Sequence, residues 1–189
     1  MTQPELYYEL QAAVTRNNFG TSQGCISAQA STSVPRCMIP ALYFSQIGKS
    51  ARVKMAGTVA TTSAATVILA AGLDAAAATI AGTGGATLFT LAALTPTAAV
   101  TCPWDLDMDI TCQAIGNAGT TIQANGLVRV NNVASSGAWG TGMQAAAFAN
   151  NLTGVNNEIN LWLELFGTWS VGATGNTTTL QQFKVYLEN

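Results

Sequence analysis

The 189 residues suffice for one domain with a short appendage and a sizeable core. Hydrophobic residues make up 49% of the chain and charged ones only 8%, against about 25% in an average soluble domain, so the surface must be built from Thr, Asn, Gln, Ser, Gly and Ala. With 7 basic and 9 acidic residues, a net charge of −2 and no histidine, the chain lacks both a basic footprint for phosphate and the usual general base, which argues against nucleic-acid binding and against enzymatic chemistry. Faces this neutral suit coverage by other protein.

The N-terminal stretch opens with helix signals. Thr2, Pro4 and Glu5 supply an N-cap, a first-turn proline and a capping-box glutamate, and Leu6, Leu10, Ala13 and Val14 then fall on one helical face. A short helix over residues 4–15 is expected. Its other face carries Tyr7, Tyr8 and Glu9, and a helix this short is marginal alone, so it either docks on its own domain or grips a neighbouring subunit. Leu6, Tyr7, Tyr8 and Leu10 are therefore interface candidates. Residues 17–36 show no period and read as an extended arm. Met1 is followed by Thr, Gln, Pro and Glu, so no secretory signal is expected. The Ala- and Thr-rich residues 58–81 are too weakly hydrophobic to span a membrane.

From Met38 onward the period becomes two. Residues 50–61 place Val53, Met55 and Val59 on one face and Arg52, Lys54 and Thr58 on the other, with Gly57 marking a bulge or a close approach. Residues 65–73 and 87–94 add short apolar runs around a Gly-rich loop at 74–85. The clearest strand covers residues 104–115, where Trp104, Leu106, Met108, Ile110 and Cys112 alternate with Asp105, Asp107, Asp109 and Thr111. Further strands are expected over 120–131, 144–150, 158–171 and 178–188. Many short strands with Gly-rich turns argue an all-β sandwich or barrel.

Few residues suggest chemistry. No nucleophile elbow or phosphate-binding loop is present, and no cofactor is expected. Asp105, Asp107 and Asp109 point three carboxylates the same way, which makes them weak calcium candidates. At ~6.6 Å between same-face neighbours they share one ion poorly. A solvated face, or pairing with Arg52, Lys54 or Arg129 across a subunit interface, are the other readings. Trp104 and Trp169 are in phase with core faces. Trp162 and Phe166 share the opposite face of their strand with Glu164, a candidate contact surface, and Trp139 sits in a Gly-rich loop as a candidate hot spot. Cys25, Cys37, Cys102 and Cys112 lack zinc-site spacing and read as free buried thiols, with a Cys25–Cys37 disulfide as the alternative. The sequons at Asn151 and Asn176 are turn chemistry.

The order Ile39-Pro-Ala-Leu-Tyr-Phe, Gly48-Lys-Ser-Ala-Arg-Val-Lys-Met-Ala-Gly-Thr-Val, Pro103-Trp-Asp-Leu-Asp-Met-Asp-Ile-Thr, Asn125-Gly-Leu-Val, Ile159-Asn-Leu-Trp-Leu and Phe183-Lys-Val-Tyr-Leu resembles jelly-roll virion proteins of tailed bacteriophages. The match covers residues 39–189. It implies a jelly-roll antiparallel β-sandwich at 38–189 preceded by a helix and arm at 1–37 that anchors assembly. It also implies a capsid decoration (cement) protein, made in the host cytoplasm, that trimerises on the head exterior against the major capsid protein, with no nucleic-acid or membrane partner. The alternative is a minor tail, tail-tip or fibre protein that binds a host surface glycan.

Overall fold

The structure is a computed structural model that describes residues 5–10, 12–17, 24–25, 37–62, 65–75, 86–96, 100–116, 119–135, 142–173 and 175–188. The period-two segments become strands because alternation lets each bury one face against a second layer. In chain order the described strands are β1 (Glu5–Glu9), β2 (Val14–Asn17), β3 (Gly24–Cys25), β4 (Cys37–Ile39), β5 (Ser50–Ala60), β6 (Val67–Asp74) and β7 (Ala86–Thr90). There follow β8 (Thr95–Pro96), β9 (Thr101–Ala114), β10 (Thr120–Ser135), β11 (Gly142–Val155), β12 (Leu161–Trp169) and β13 (Thr177–Glu188).

All their pairings are antiparallel. Sheet A has 8 strands in the order β1-β13-β5-β9-β10-β11, with β2 also on β13 and β8 also on β10. Sheet B has 5 strands in the order β3-β12-β6-β7, with β4 also on β12. One core lies between the sheets. Sheet A contributes Val53, Met55, Leu106, Met108, Val128 and Phe183, and sheet B contributes Leu69, Leu73, Leu163, Leu165 and Trp169. Burying each such side chain stabilises the fold by about 1.5–3 kcal/mol.

The expected alternation of the central strands is what the structure has. Val53, Met55 and Val59 point inward from β5, and Trp104, Leu106, Met108, Ile110 and Cys112 point inward from β9. Trp104 and Trp169 are core residues. Cys37, Cys102 and Cys112 are buried and in no disulfide, so the Cys25–Cys37 bridge is not formed, and burial pushes the Cys37 thiol up to about 12. The expected arm at 17–36 falls largely outside the described residues, apart from Asn17 at the end of β2 and β3 along β12.

The helix expected over residues 4–15 is a correction. Glu5–Glu9 runs along β13, with Leu6 opposite Tyr186 and Glu9 opposite Lys184, and Val14–Asn17 continues along the same edge; Pro4 and Gln11 lie outside the described residues. The reason is competition. A helix of this length gains little by itself, whereas the β13 edge offers a row of backbone donors and acceptors together with a core wall. Tyr8 stacks edge-on against Phe183 with ring centroids 5.1 Å apart, and Leu10 and Val14 also turn inward. Leu6 and Leu10, expected on one helical face, therefore separate: Leu6 is 47% exposed.

Gly57 is a close approach. It sits on the inner face of β5 opposite Trp104, and β13 shifts register beside it, between Leu180 and Gln182. A Cβ here would run into the carbonyl oxygen of Thr179 and the rim of the Trp104 indole. A backbone oxygen cannot rotate away, so Gly57→Ala is expected to lower unfolding free energy by about 2 kcal/mol in urea titrations, the cost of overpacking a closed core.

Candidate functional site

The outer face of sheet A concentrates the charge. On it Lys54 stands opposite Asp107, Arg52 opposite Asp109, and Arg129 opposite Asp105. The Arg52 guanidinium turns diagonally and grips Asp107 with two donors, Nε to Oδ1 at 2.9 Å and Nη2 to Oδ2 at 2.7 Å. Lys54 Nζ lies 3.8 Å from the same carboxylate. Arg129 makes an equivalent fork on Asp105, its Nε 2.9 Å from Oδ2, and Lys184 meets Glu9 at 2.7 Å. The expected subunit-interface pairing of these aspartates is thus satisfied inside one chain. Among the described residues no three carboxylate, thiol or imidazole groups are placed to hold a metal ion.

Pairing divides the aspartates. The hydrogen bonds from Arg52 hold the Asp107 carboxyl below the usual carboxylate range. Asp109, whose cross-strand cation is committed elsewhere, is pushed up by burial and by the neighbouring Asp107 and Glu188 charges.

Apolar exposure concentrates instead at one end of the sandwich. Six of the nine large exposed apolar side chains among the described residues, Leu6, Tyr7, Leu42, Ile47, Ile115 and Ile159, lie at or beside it. Hydrogen bonds knit its loops together. The Leu42 N–H donates to the Asn157 carbonyl at 2.6 Å, Gly48 N–H to the Cys112 carbonyl at 2.8 Å, and Ala41 N–H to Asn160 Oδ1 at 3.0 Å. Tyr43 donates its hydroxyl to the Ser50 carbonyl and accepts the Glu188 N–H at 3.0 Å, and Tyr7 donates to the Met38 carbonyl at 2.8 Å. On this frame Leu42 adopts φ 63°, a left-handed conformation that costs a leucine about 1–2 kcal/mol. That strained backbone carries a side chain left 58% exposed, and nearby Ile47 is 70% exposed. Folding alone gains nothing from either, which makes this hydrogen-bonded end a candidate contact surface.

Of the sequence-derived candidates, Leu6 and Tyr7 join this end, while Tyr8 and Leu10 pack against the core. Trp162 is half-buried beside Asp74. Phe166 differs from expectation: it is 1% exposed, because β12 is an interior strand of sheet B and both of its faces are covered, as the burial of Glu164 also shows. Trp139 lies outside the described residues. Leu42, Ile47, Ile115 and Ile159 escaped sequence reasoning. Their signal was an aliphatic residue set in or next to a turn rich in Gly, Asn, Gln or Pro, where nothing is there to bury it. Asn176 is buried, with Thr61 Oγ1 at 2.6 Å from its Oδ1 and its Nδ2 donating to the Val171 carbonyl at 2.8 Å, so that sequon is turn structure.

An open cleft of about 290 Å³ borders the same end, lined by Leu73, Asp74, Thr153, Val155, Asn156 and Ile159 among others. Its described lining has one carboxylate beside amide, hydroxyl and aliphatic groups, a set that can hydrogen-bond and desolvate a small polar group.

No protein-family model matches the chain, and no curated protein sequence does either. Among solved structures it is similar to the CBM2 module of the evolved Dit of Lactobacillus casei BL23 phage J-1, at 12% identity and TM-score 0.39, covering 99% of this chain and 97% of that one. It is also similar to alginate lyase A1-II′ of polysaccharide lyase family 7, at 10% identity and TM-score 0.29, covering 100% and 86%. A chain of infectious bursal disease virus, Gt strain, aligns at 15% identity and TM-score 0.32, covering 98% of this chain and 42% of that one. At these scores no residue role passes from those proteins to this one.

The aspartate ladder has a sign that pH can read. Asp107 ionises more easily folded than unfolded, so its pairing stabilises the chain above about pH 4 and is lost as pH falls through its lowered folded value. Asp109 ionises less easily when folded, so it costs stability once pH rises through its raised value. At neutral pH, Asp107→Asn should lower and Asp109→Asn should raise the unfolding free energy from urea titrations, each by ~0.5 kcal/mol as suits exposed pairs. By about pH 3 the Asp109→Asn gain should have vanished while part of the Asp107→Asn loss persists.

Proposed function

We propose that this chain is a structural virion protein of a tailed bacteriophage, a capsid decoration (cement) protein that trimerises on the outer surface of the head and stabilises it. The observation that carries the reading is the combination of self-neutralised charge on sheet A with a rigid apolar end formed by Leu42, Ile47, Ile115 and Ile159. A surface of this kind is suited to permanent coverage by protein. Electrostatic steering contributes little, and desolvating the aliphatic groups supplies the adhesion. Three modest contacts in one trimer then act at high effective concentration, so the assembly holds even where each contact is weak.

We read the sandwich as a jelly roll. Taking the collinear pairs β1/β2 and β3/β4 as one position each, and leaving aside the two-residue β8, sheet A runs first, eighth, third, sixth and sheet B runs second, seventh, fourth, fifth, with β10 and β11 as an added hairpin. That order is a double Greek key, an architecture used by capsid and lectin domains. The first 37 residues serve as the assembly anchor in this reading, reaching the apolar end through Leu6 and Tyr7.

The cleft at Asp74 and Asn156, with Trp162 next to Asp74 in register, favours a second reading in which the same fold serves as a tail-tip or fibre component that binds a host glycan. Copy number separates the two. Quantitative mass spectrometry of purified virions should find hundreds of copies per particle for a cement protein, a few dozen at most for a tail component, and none if neither reading holds.

Contact through the apolar end is tested by Leu42→Asn combined with Ile47→Ser. Asparagine tolerates the left-handed backbone, so stability should be unchanged or higher. Binding to undecorated heads in sedimentation assays should weaken roughly tenfold or more, the loss of two buried aliphatic contacts. Undiminished binding excludes this end as the shell contact.

A further inference from the structure

The edges of the two sheets are not treated alike. β1 is 5 residues long, carries Glu5 and Glu9 and is bulged between Leu6 and Tyr8. β3 and β4 have 2 and 3 residues. β7 has 5, and the Asn150 side chain donates to its Thr87 carbonyl at 2.8 Å. Shortness, charge, bulges and covering groups are the devices by which proteins prevent their edges from pairing with other chains.

β11 has few of them, its own bulge lying at one end, between Leu152 and Val155. It is 14 residues long, contains no charged residue and no proline, and keeps unbroken register with β10 from Leu152 to Gln144. Among the described residues no strand pairs its backbone with the other edge, while β7 meets the inner face of β11 through Phe148 stacked on Phe89 and Asn150 on the Thr87 carbonyl. Its outward side chains at the centre are the exposed Ala145, Ala147 and Ala149, small enough to let another backbone approach.

We infer that β11 is a self-association edge, and that its occupant is the β11 of a second copy of this chain, antiparallel across a two-fold axis near Ala147. The strand is its own complement in that arrangement. Ala145 falls opposite Ala149, and Phe148 opposite Ala146, so the bulkiest side chain meets one of the smallest. No charge opposes a like charge. On the outer face Leu127 stands opposite Ala147 within the chain, so pairing extends an apolar row through Leu127 and Ala147 into Ala147 and Leu127 of the second copy. A charged or differently spaced partner strand finds no matching group on this edge. Two-fold pairing also closes on itself, leaving no new edge to propagate. The inference concerns the free chain and does not rest on the virion reading; on a shell such pairs would connect neighbouring trimers.

The test compares the full chain with Ala147→Lys, which places a charge at the exposed centre of the edge, and with Ala147→Thr, a neutral strand former. Light scattering after size exclusion should give a wild-type particle with twice the mass of the Ala147→Lys particle, and Ala147→Thr should match the wild type. Hydrogen exchange should show alternate amides of 143–151 protected in the wild type and fast in Ala147→Lys, while the urea midpoint measured at concentrations where both are dissociated is the same. Equal masses for wild type and Ala147→Lys, whether of one copy or of three, overturn the inference.

Discussion

Register between β5 and β9 governs the molecule. With Val53 opposite Met108 and Met55 opposite Leu106, both strands turn their large apolar side chains toward sheet B and every aspartate of β9 toward solvent. A slip of one residue in either strand would turn that strand over, driving Asp105, Asp107 and Asp109 or Arg52 and Lys54 into the core. An unpaired carboxylate there costs several kcal/mol, far more than the loss of any single hydrogen bond. The ion pairs on the outer face add a second, weaker lock, because Arg52 reaches Asp107 and Arg129 reaches Asp105 only in the observed alignment.

The same alignment leaves the chain with a peculiar exterior. Much of its small complement of charge is paired on the outer face of sheet A, in a chain otherwise rich in alanine, threonine and amide side chains. Against that background the aliphatic groups held out by the 40–49 turn and by residues 115 and 159 stand apart, since they expose apolar area on a hydrogen-bonded frame that includes a strained leucine. The contacts proposed at the loop end and at the β11 edge draw on different physics, desolvation of side chains in the one and backbone hydrogen bonding in the other.

The N-terminal segment shows how a local signal loses to a distant one. A capping box and a helical stripe are worth of order 1 kcal/mol together, whereas an open β13 edge offers several backbone hydrogen bonds and a place for Tyr8 against Phe183. Phe166 shows the same thing from the other side. Alternation correctly put it on the face opposite Leu165, but whether that face meets water depends on what else the chain lays over sheet B.

What residues 50–188 could declare locally, they did. Inward and outward faces of β5, β9 and the later strands, the burial of Trp104 and Trp169, and the tight passage at Gly57 all follow from a two-residue period and from side-chain size. These are properties of neighbours in the chain. The partners of Asp105 and Asp107, the fate of the described residues in 5–17, the gathering of Leu42, Ile47, Ile115 and Ile159 at one end, and an edge of β11 that pairs with no strand among the described residues all depend on which strands lie side by side. That is settled by competition among edges far apart in sequence, such as Thr15 with Thr179, and no local pattern records its outcome.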